Sequence, residues 1–521
     1  MSQQAASDSR PVEDGEALRV LELDPEHRRR ADGRPYAVID IGSNSVRLLV
    51  YNTLGRAPFP RFNEKSLCGL GEGLDRTGRL DEGAMARTVH AVHRFSAITA
   101  AMDVACTDIL ATEAVRRAEN GAELTEAIER ETGLPVRVLA GEEEAAFSAL
   151  GVISGFYRPR GLVGDIGGGS LEVAEVLDDR VGDRTVSLPL GALPVRALMA
   201  EKGEAAKKAI DEVLATSLPP LLTHPTFYVV GGGWRALARV HAEANGAPLH
   251  VAHGYEVETK SLRQLAKQVW KTPANKVARL PGVPARRADT LPAAALVMDR
   301  VLKSLKPERV VFSALGLREG WLYSQLSLEE QYLDPLVEGA RAFGRPRSRV
   351  AAFGPALARW TESLFPGETA EEKRLRLAAC ALSDIAWADH AEVKARQSFH
   401  RLLSFPFIGL DHAERVFLAA TIHARYNGKP DDPALEPAIT LLSEAGRRRA
   451  RILGRALLLG YRYSGSVPDI LDTARLEILS DRVRLEVSDT ESVPDSDAVQ
   501  SRLKQLAKAV GVHRTELVKA S

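Results

Sequence analysis

The chain has 521 residues, too long for one ordinary hydrophobic core, so about three or four domains are expected. Its 45% hydrophobic and 26% charged residues are those of a soluble globular protein. The 69 Lys and Arg balance 69 Asp and Glu, which argues against a nucleic-acid binder, since such proteins carry a net basic domain. Cys68, Cys106 and Cys380 have neither metal-ligand spacing nor an evident pairing, which suits a reducing compartment. No apolar run approaches the ~20 residues of a membrane span, so no membrane association and a cytoplasmic location are expected.

Residues 1–34 are polar and mixed in charge, as in a disordered arm. YAVIDIGSNSVRLLVY, 36–51, reads as two strands around a tight turn. Leu80, Met85, Val89, Val92 and Phe95 recur at helical spacing and predict a helix over 81–101. A strand near 107–111, a helix through 122–132, a short strand at 136–139 and a helix from about 142 follow. The pattern restarts at 161, where GLVGDIGGGSLEVAEV repeats the strand–turn–strand with its acid in the same place. Further strands near 184–190 and 226–230, helices near 204–215 and 289–305, and the buried strand ERVVFSA complete a second α/β unit. Residues 331–475 are dense in Ala, Leu, Arg and Glu with helical periodicity, and 476–521 reads as a hairpin plus a helix. The expected domains are therefore 35–155, 156–330, an all-α domain 331–475 and a small α+β domain 476–521, with a cleft between the first two.

The two Asp-Ile-Gly turns carry the chemistry. A strand ending in such a turn offers several backbone N–H groups to an anion, which glycine lets approach closely. Gly42, Ser43, Asn44 and Ser45 form the first candidate phosphate loop, and Gly167, Gly168, Gly169 and Ser170 the second. Gly232 and Gly233, after another strand, suggest a third turn. Asp40 and Asp165, at the strand ends, and Glu172 just beyond are candidate ligands for Mg²⁺, which favours one or two carboxylates plus phosphate oxygens. One such motif alone is more often a plain hairpin; two copies favour phosphate binding.

DIGSNSVRLLV, ATEAVRRAEN, AGEEEAAFSALGV, DIGGGSLEV, SLPLGALPV, LPGVPARRAD and SALGLREGWLY together resemble the Ppx/GppA family of exopolyphosphatases and guanosine pentaphosphate phosphatases, in the family's order over about 35–325. The resemblance implies two actin-like domains around a phosphate cleft and Mg²⁺-dependent removal of terminal phosphate from inorganic polyphosphate or guanosine pentaphosphate. It places the water-activating glutamate at Glu144, with Glu143 as second choice, the metal near Asp165 and Glu172, a phosphate-holding arginine at Arg116 and a further phosphate contact at Lys65. It also raises the expectation of a homodimer. The helical region resembles the C-terminal domain of long members, related to HD phosphohydrolases, but Ser383-Asp384 stands where His-Asp is expected and His390, His400 and His423 are scattered. A second metal site is therefore not expected. VVGGGWRAL lacks the hydroxyls many members carry there, and Trp234 and Arg235 are candidates to form that wall instead. Basic runs at 341–349 and 446–455 suggest a track for a long polyanion. The leading expectation is an exopolyphosphatase. Its rivals are a guanosine pentaphosphate phosphatase, a sensor that binds polyphosphate or nucleotide without turnover and, more remotely, a sugar kinase on the same fold.

Overall fold

A computed structural model of the chain describes residues 33–218, 224–488 and 496–519. The expected arm, 1–34, lies outside these apart from residues 33 and 34. Strand β1 (Tyr36–Ile41) is buried throughout except at Asp40, as a central strand with one functional position should be. β2 (Ser45–Tyr51) returns antiparallel to it and β3 (Pro60–Leu67) forms the outer edge, while β4 (Cys106–Ala111) and β5 (Val136–Val138) add in parallel on the other side. The order is β3-β2-β1-β4-β5. Parallel neighbours need crossovers, and the helices Glu82–Ala101 and Gly121–Thr132 supply them. The first is started by Asp81, whose carboxylate accepts from Ala84 N at 2.8 Å.

The second unit contains β6 (Arg160–Ile166), β7 (Leu171–Leu177), β8 (Arg180–Leu188), β9 (Thr226–Val230), β10 (Tyr255–Glu258) and β11 (Arg309–Phe312), in the order β10-β11-β9-β6-β7-β8. Without the added edge strand β10, its topology is that of the first sheet. A three-strand antiparallel meander is followed by two parallel strands on the opposite flank. This is a duplicated, actin-like arrangement. Both Asp-Ile-Gly turns consequently stand at the ends of equivalent central strands.

Helix Gly141–Gly155 joins the halves and packs against Leu317–Ser324. Glycines permit this close crossing: a Cβ on Gly151 would collide with the Gly316 carbonyl, and one on Gly320 with that of Phe147. From Pro335 onward the chain is helical, as expected, until β12 (Ala474–Ile478), β13 (Arg482–Val487) and β14 (Arg514–Lys519). The helix Asp497–Val510 lies over this last sheet. These terminal elements share one continuous core with the helical region, so Leu485 and Leu503 belong to the same cluster as Leu357 and Leu453. Among the described residues no helix is long and apolar enough to cross a membrane.

Candidate active site

The two glycine turns meet across a cavity of about 190 Å³. Their local structures match: Gly42 N donates to Ser45 O at 3.1 Å, and Gly167 N to Ser170 O at 2.9 Å. The remaining turn N–H groups, those of Ser43, Asn44, Gly168 and Gly169, make no backbone hydrogen bond among the described residues. None of these glycines has a positive φ; their absent side chains are what matters. A Cβ on Gly169 would overlap the Glu113 carboxylate, and one on Gly168 would press on Ser43 from the opposite turn at 2.9 Å. Gly232 and Gly233 line the same cavity but do so as the first residues of helix Gly232–Ala244, directly after Gly231, whose φ of 101° makes the strand-to-helix corner. Trp234, considered above as a wall of the site, is instead fully buried in the core, donating Nε1–H to Ala294 O at 3.0 Å.

Five carboxylates line the cavity: Asp40, Glu113, Glu144, Asp165 and Glu172. Asp165 and Glu172 are cross-strand partners in the β6–β7 register, so their side chains leave the same face of the sheet. Hydroxyls steady them: Ser148 Oγ donates to Asp165 Oδ2 at 2.6 Å and Ser187 Oγ to Glu172 Oε1 at 3.0 Å. Burial raises the proton affinity of both, against the Ser148 bond at Asp165 and reinforced at Glu172 by Glu144 and Asp165. Glu144 is pushed up to about 7, first by burial; its bond from Arg116 opposes this, while Asp40 and Asp165 add to it. Asp40 differs in its surroundings. Its cross-strand partner is Arg47 and Arg318 Nη1 stands 3.9 Å away, yet burial still raises it.

Among the described residues no group of three or more His, Cys, Asp or Glu side chains could by itself hold a metal ion. The donor set nonetheless fits Mg²⁺, which needs only one or two carboxylates when phosphate oxygens and waters fill its other positions. Buried, mutually repelling carboxylates supported by hydroxyls are the chemistry such an ion relieves.

Glu143 and Glu144 are neighbours with different tasks. Glu143 caps its own helix, accepting from Ala140 N at 2.8 Å and from Arg137 Nη2 at 2.6 Å. Glu144 is 5% exposed, lines the cavity and accepts from Arg116 Nη1, which also donates to Leu139 O. Lys65 reaches the cavity from β3, its pKa lowered to about 8 by burial and by Arg287, Arg286, Arg47 and Arg318.

Sequence reading passed over Glu113, Arg47, Arg239, Arg286 and Arg287 here. Glu113 is buried beside the first turn, accepting from Ser43 Oγ at 3.0 Å and from Arg117 Nη1 at 2.7 Å. Arg47, Lys65, Arg235, Arg239, Arg286 and Arg287 line a groove that adjoins the cavity. The expected basic tracks are otherwise engaged. Arg349 binds Asp384, Arg341 binds Glu338, Arg449 binds Glu368 and Arg448 donates to Val510 O. Asp384 accepts from Arg349 at 2.8 Å and from Arg425 at 3.5 Å, so its carboxylate is held by two guanidinium groups.

The fold is a duplicated actin-like arrangement with paired glycine turns, buried acids and a basic groove at its cleft. Comparison with known proteins gives the family. Residues 55–329 match the Ppx/GppA phosphatase family and 336–518 the exopolyphosphatase C-terminal family. The chain belongs to the Ppx/GppA family, as a long form carrying the C-terminal domain. It is 31% identical over 307 residues to Exopolyphosphatase 1 of Mycobacterium tuberculosis H37Rv, covering 56% of this chain and 88% of that one. Exopolyphosphatase 1 of Mycobacterium leprae is 31% identical over 314 residues, covering 56% and 89%. The crystal structure of an exopolyphosphatase from Cytophaga hutchinsonii is similar in fold, at 24% identity and a TM-score of 0.50, covering 56% of this chain and 97% of that one.

Proposed function

We propose that this chain is an exopolyphosphatase that releases terminal orthophosphate from inorganic polyphosphate. The observation that carries the reading is the groove of Arg47, Lys65, Arg235, Arg239, Arg286 and Arg287 leading out of the acidic cavity. A linear polyanion needs such a run of cations beyond the reacting group. No aromatic side chain lines either the cavity or the groove among the described residues, which favours polyphosphate over guanosine pentaphosphate as substrate.

In this reading the turn N–H groups of Ser43, Asn44, Gly168 and Gly169 hold the terminal phosphoryl group, aided by the N-terminus of helix Gly232–Ala244. Asp165 and Glu172 would hold Mg²⁺, with Asp40 nearby, and the ion would offset charge on the transferred group. Glu144 takes the proton of the attacking water as its oxygen bonds to the terminal phosphorus. The bridging P–O bond then breaks, leaving orthophosphate and a chain one unit shorter. Arg116 orients Glu144 through its guanidinium. The division that fits is two catalytic units, 35–155 and 156–330, and a C-terminal body in which 331–475 and 476–521 share a core. Location in the cytoplasm and assembly as a homodimer are part of the same proposal.

The test is orthophosphate release with Mg²⁺ from long-chain polyphosphate and from guanosine pentaphosphate. Preference for polyphosphate, abolished by Glu144→Gln, is expected. Preference for the nucleotide would replace the substrate assignment, and release from neither would make the protein a binding module.

A further inference from the structure

The reaction proposed above uses four of the five carboxylates in the cavity and leaves Glu113 without a task. Asp40, Asp165 and Glu172 are assigned to the metal ion and Glu144 to water. Glu113 stands just beyond the end of β4. Ala111 pairs with Ile41 in the parallel register and Thr112 N donates to Ile41 O at 3.2 Å, so the next residue is delivered beside the first glycine turn. There it is 7% exposed. Its carboxylate accepts from Ser43 Oγ at 3.0 Å and from Arg117 Nη1 at 2.7 Å, and Arg117 is anchored in turn by Asp75. Gly169 of the second turn approaches from the other side, so closely that a Cβ there would overlap Oε2. The carboxylate is wedged between the two turns whose N–H groups are free of backbone partners.

A carboxylate in such a place is at odds with an anion site unless the anion brings a proton. Paired with a guanidinium, it only accepts. It has about four lone-pair sites, and Ser43 and Arg117 are the donors that reach it among the described residues. A fully ionised oxyanion seated in the turns meets Glu113 as a like charge and offers it no hydrogen. A phosphate group bearing one proton donates that O–H to Glu113 and accepts from the turn N–H groups at its other oxygens. Units of a polyphosphate chain differ in this respect. An internal unit has two bridging oxygens and one strongly acidic oxygen, so it is fully ionised. The terminal unit has a second, weakly acidic oxygen, comparable to that of a phosphate monoester with its second pKa of about 6, and holds a proton for part of the time near neutral pH.

We propose that Glu113 determines specificity by reading that proton: it accepts the P–O–H of a monohydrogen phosphate group held in the turns and rejects oxyanions that lack one. The site thereby seats the end of a polyphosphate chain and refuses both its internal units and sulfate. This deepens the reading of the turns as phosphate-holding and rests on it.

The experiment is calorimetric titration of the full chain with orthophosphate and with sulfate near neutral pH, where sulfate has the same shape but no proton. Orthophosphate should bind at least tenfold more tightly, because a site built around an acceptor penalises a ligand that leaves it unpaired. Glu113→Gln, whose amide donates to an ionised oxygen, should tighten sulfate and bring the two affinities within about threefold. Equal binding of the two anions by the unsubstituted chain overturns the proposal, whether or not the variant folds, and leaves the phosphate turns standing. A ratio unchanged in Glu113→Gln also overturns it. If both anions tighten equally, Glu113 is only a charge; if both weaken equally, as they should in Ser43→Ala, it is only a strut for Ser43. Binding of neither anion removes the proposal together with the reading of the turns.

Discussion

Replacing Glu143 and Glu144 separately by Gln should give opposite signatures, because one carboxylate holds a helix and the other faces the cavity. Glu144→Gln removes the proposed base, and general-base catalysis contributes about 10²- to 10⁴-fold, so kcat should fall by that factor with KM little changed. Its effect on stability has the opposite sense. Burial raises the folded-state pKa of Glu144 from 4.5 to about 7. A carboxyl raised on folding binds more protons folded than unfolded between those values, so its contribution to stability falls as pH rises from 4.5 to about 7 and stays lost above. Gln removes that penalty while still accepting from Arg116, so Glu144→Gln should raise Tm at pH 8 and leave it nearly unchanged at pH 4.5. Glu143→Gln weakens the bonds to Ala140 N and Arg137 instead, and loss of a helix cap costs about 0.5–2 kcal/mol. Its Tm should drop while kcat stays within a few-fold. Orthophosphate release and thermal denaturation of both variants at pH 4.5 and pH 8 decide the matter. An inactive Glu143→Gln beside an active Glu144→Gln would refute the assignment of the base.

Lys65 is charged below about pH 8 and neutral above, so KM for polyphosphate should rise as pH rises through 8, and Lys65→Arg should flatten that dependence in steady-state profiles. Arg287→Ala and Arg239→Ala should raise KM for long-chain polyphosphate more than for tripolyphosphate and make the salt dependence of KM shallower, as each removes one phosphate contact. Gly320→Ala forces a methyl group into the Phe147 carbonyl, and overpacking of this kind costs about 1–3 kcal/mol, readable as a lower denaturation midpoint. Gly169→Ala displaces Glu113 from the first turn and should abolish orthophosphate release while the far-ultraviolet circular dichroism is retained.

What the sequence disclosed was whatever is encoded locally. Asp-Ile-Gly followed by a hydroxyl residue marks both turns because the acid, the close approach and the hydroxyl lie within six neighbouring residues. The helix beginning at Gly141 and the central strands were legible from periodicity for the same reason. The edge strands β3 and β10 were not, since PRFNEKSL and YEVE are polar and half exposed, with only one neighbouring strand each to bury them. Nor was the basic groove. Arg47, Lys65, Arg235, Arg239, Arg286 and Arg287 are scattered along the chain and become neighbours only when the two sheets face each other. In the compact run at 446–455, adjacent arginines on one helix point to different faces. Arg447 turns to Leu442 O, Arg448 to Val510 O and Arg449 to Glu368. Glu143 and Glu144 could not be separated by sequence, since acids in a first helical turn suit the helix dipole whichever one faces a site.

The two turns of the duplicated fold differ in the charge that stands across from their acid. Asp40 and Asp165 occupy equivalent strand ends, yet the residue across from each has the opposite charge: Arg47 faces Asp40, and Glu172 faces Asp165. The contrast is confined to the turns, since Arg235, Arg239, Arg286 and Arg287 of the groove come from the second half and Asp40, Glu113 and Glu144 of the cavity from the first. Each half by itself carries unrelieved charge, seen in the raised carboxyls of Asp165 and Glu172 and the lowered pKa values of Arg47 and Lys65, burial being the first cause of every one. In the proposed function a phosphate chain with its metal ion neutralises both at once. In that proposal substrate is the electrostatic link between the halves. The proposal accounts for the acid–acid and acid–arginine pairings in the same way, as two copies of one hairpin dividing the recognition of a cation and an anion between them.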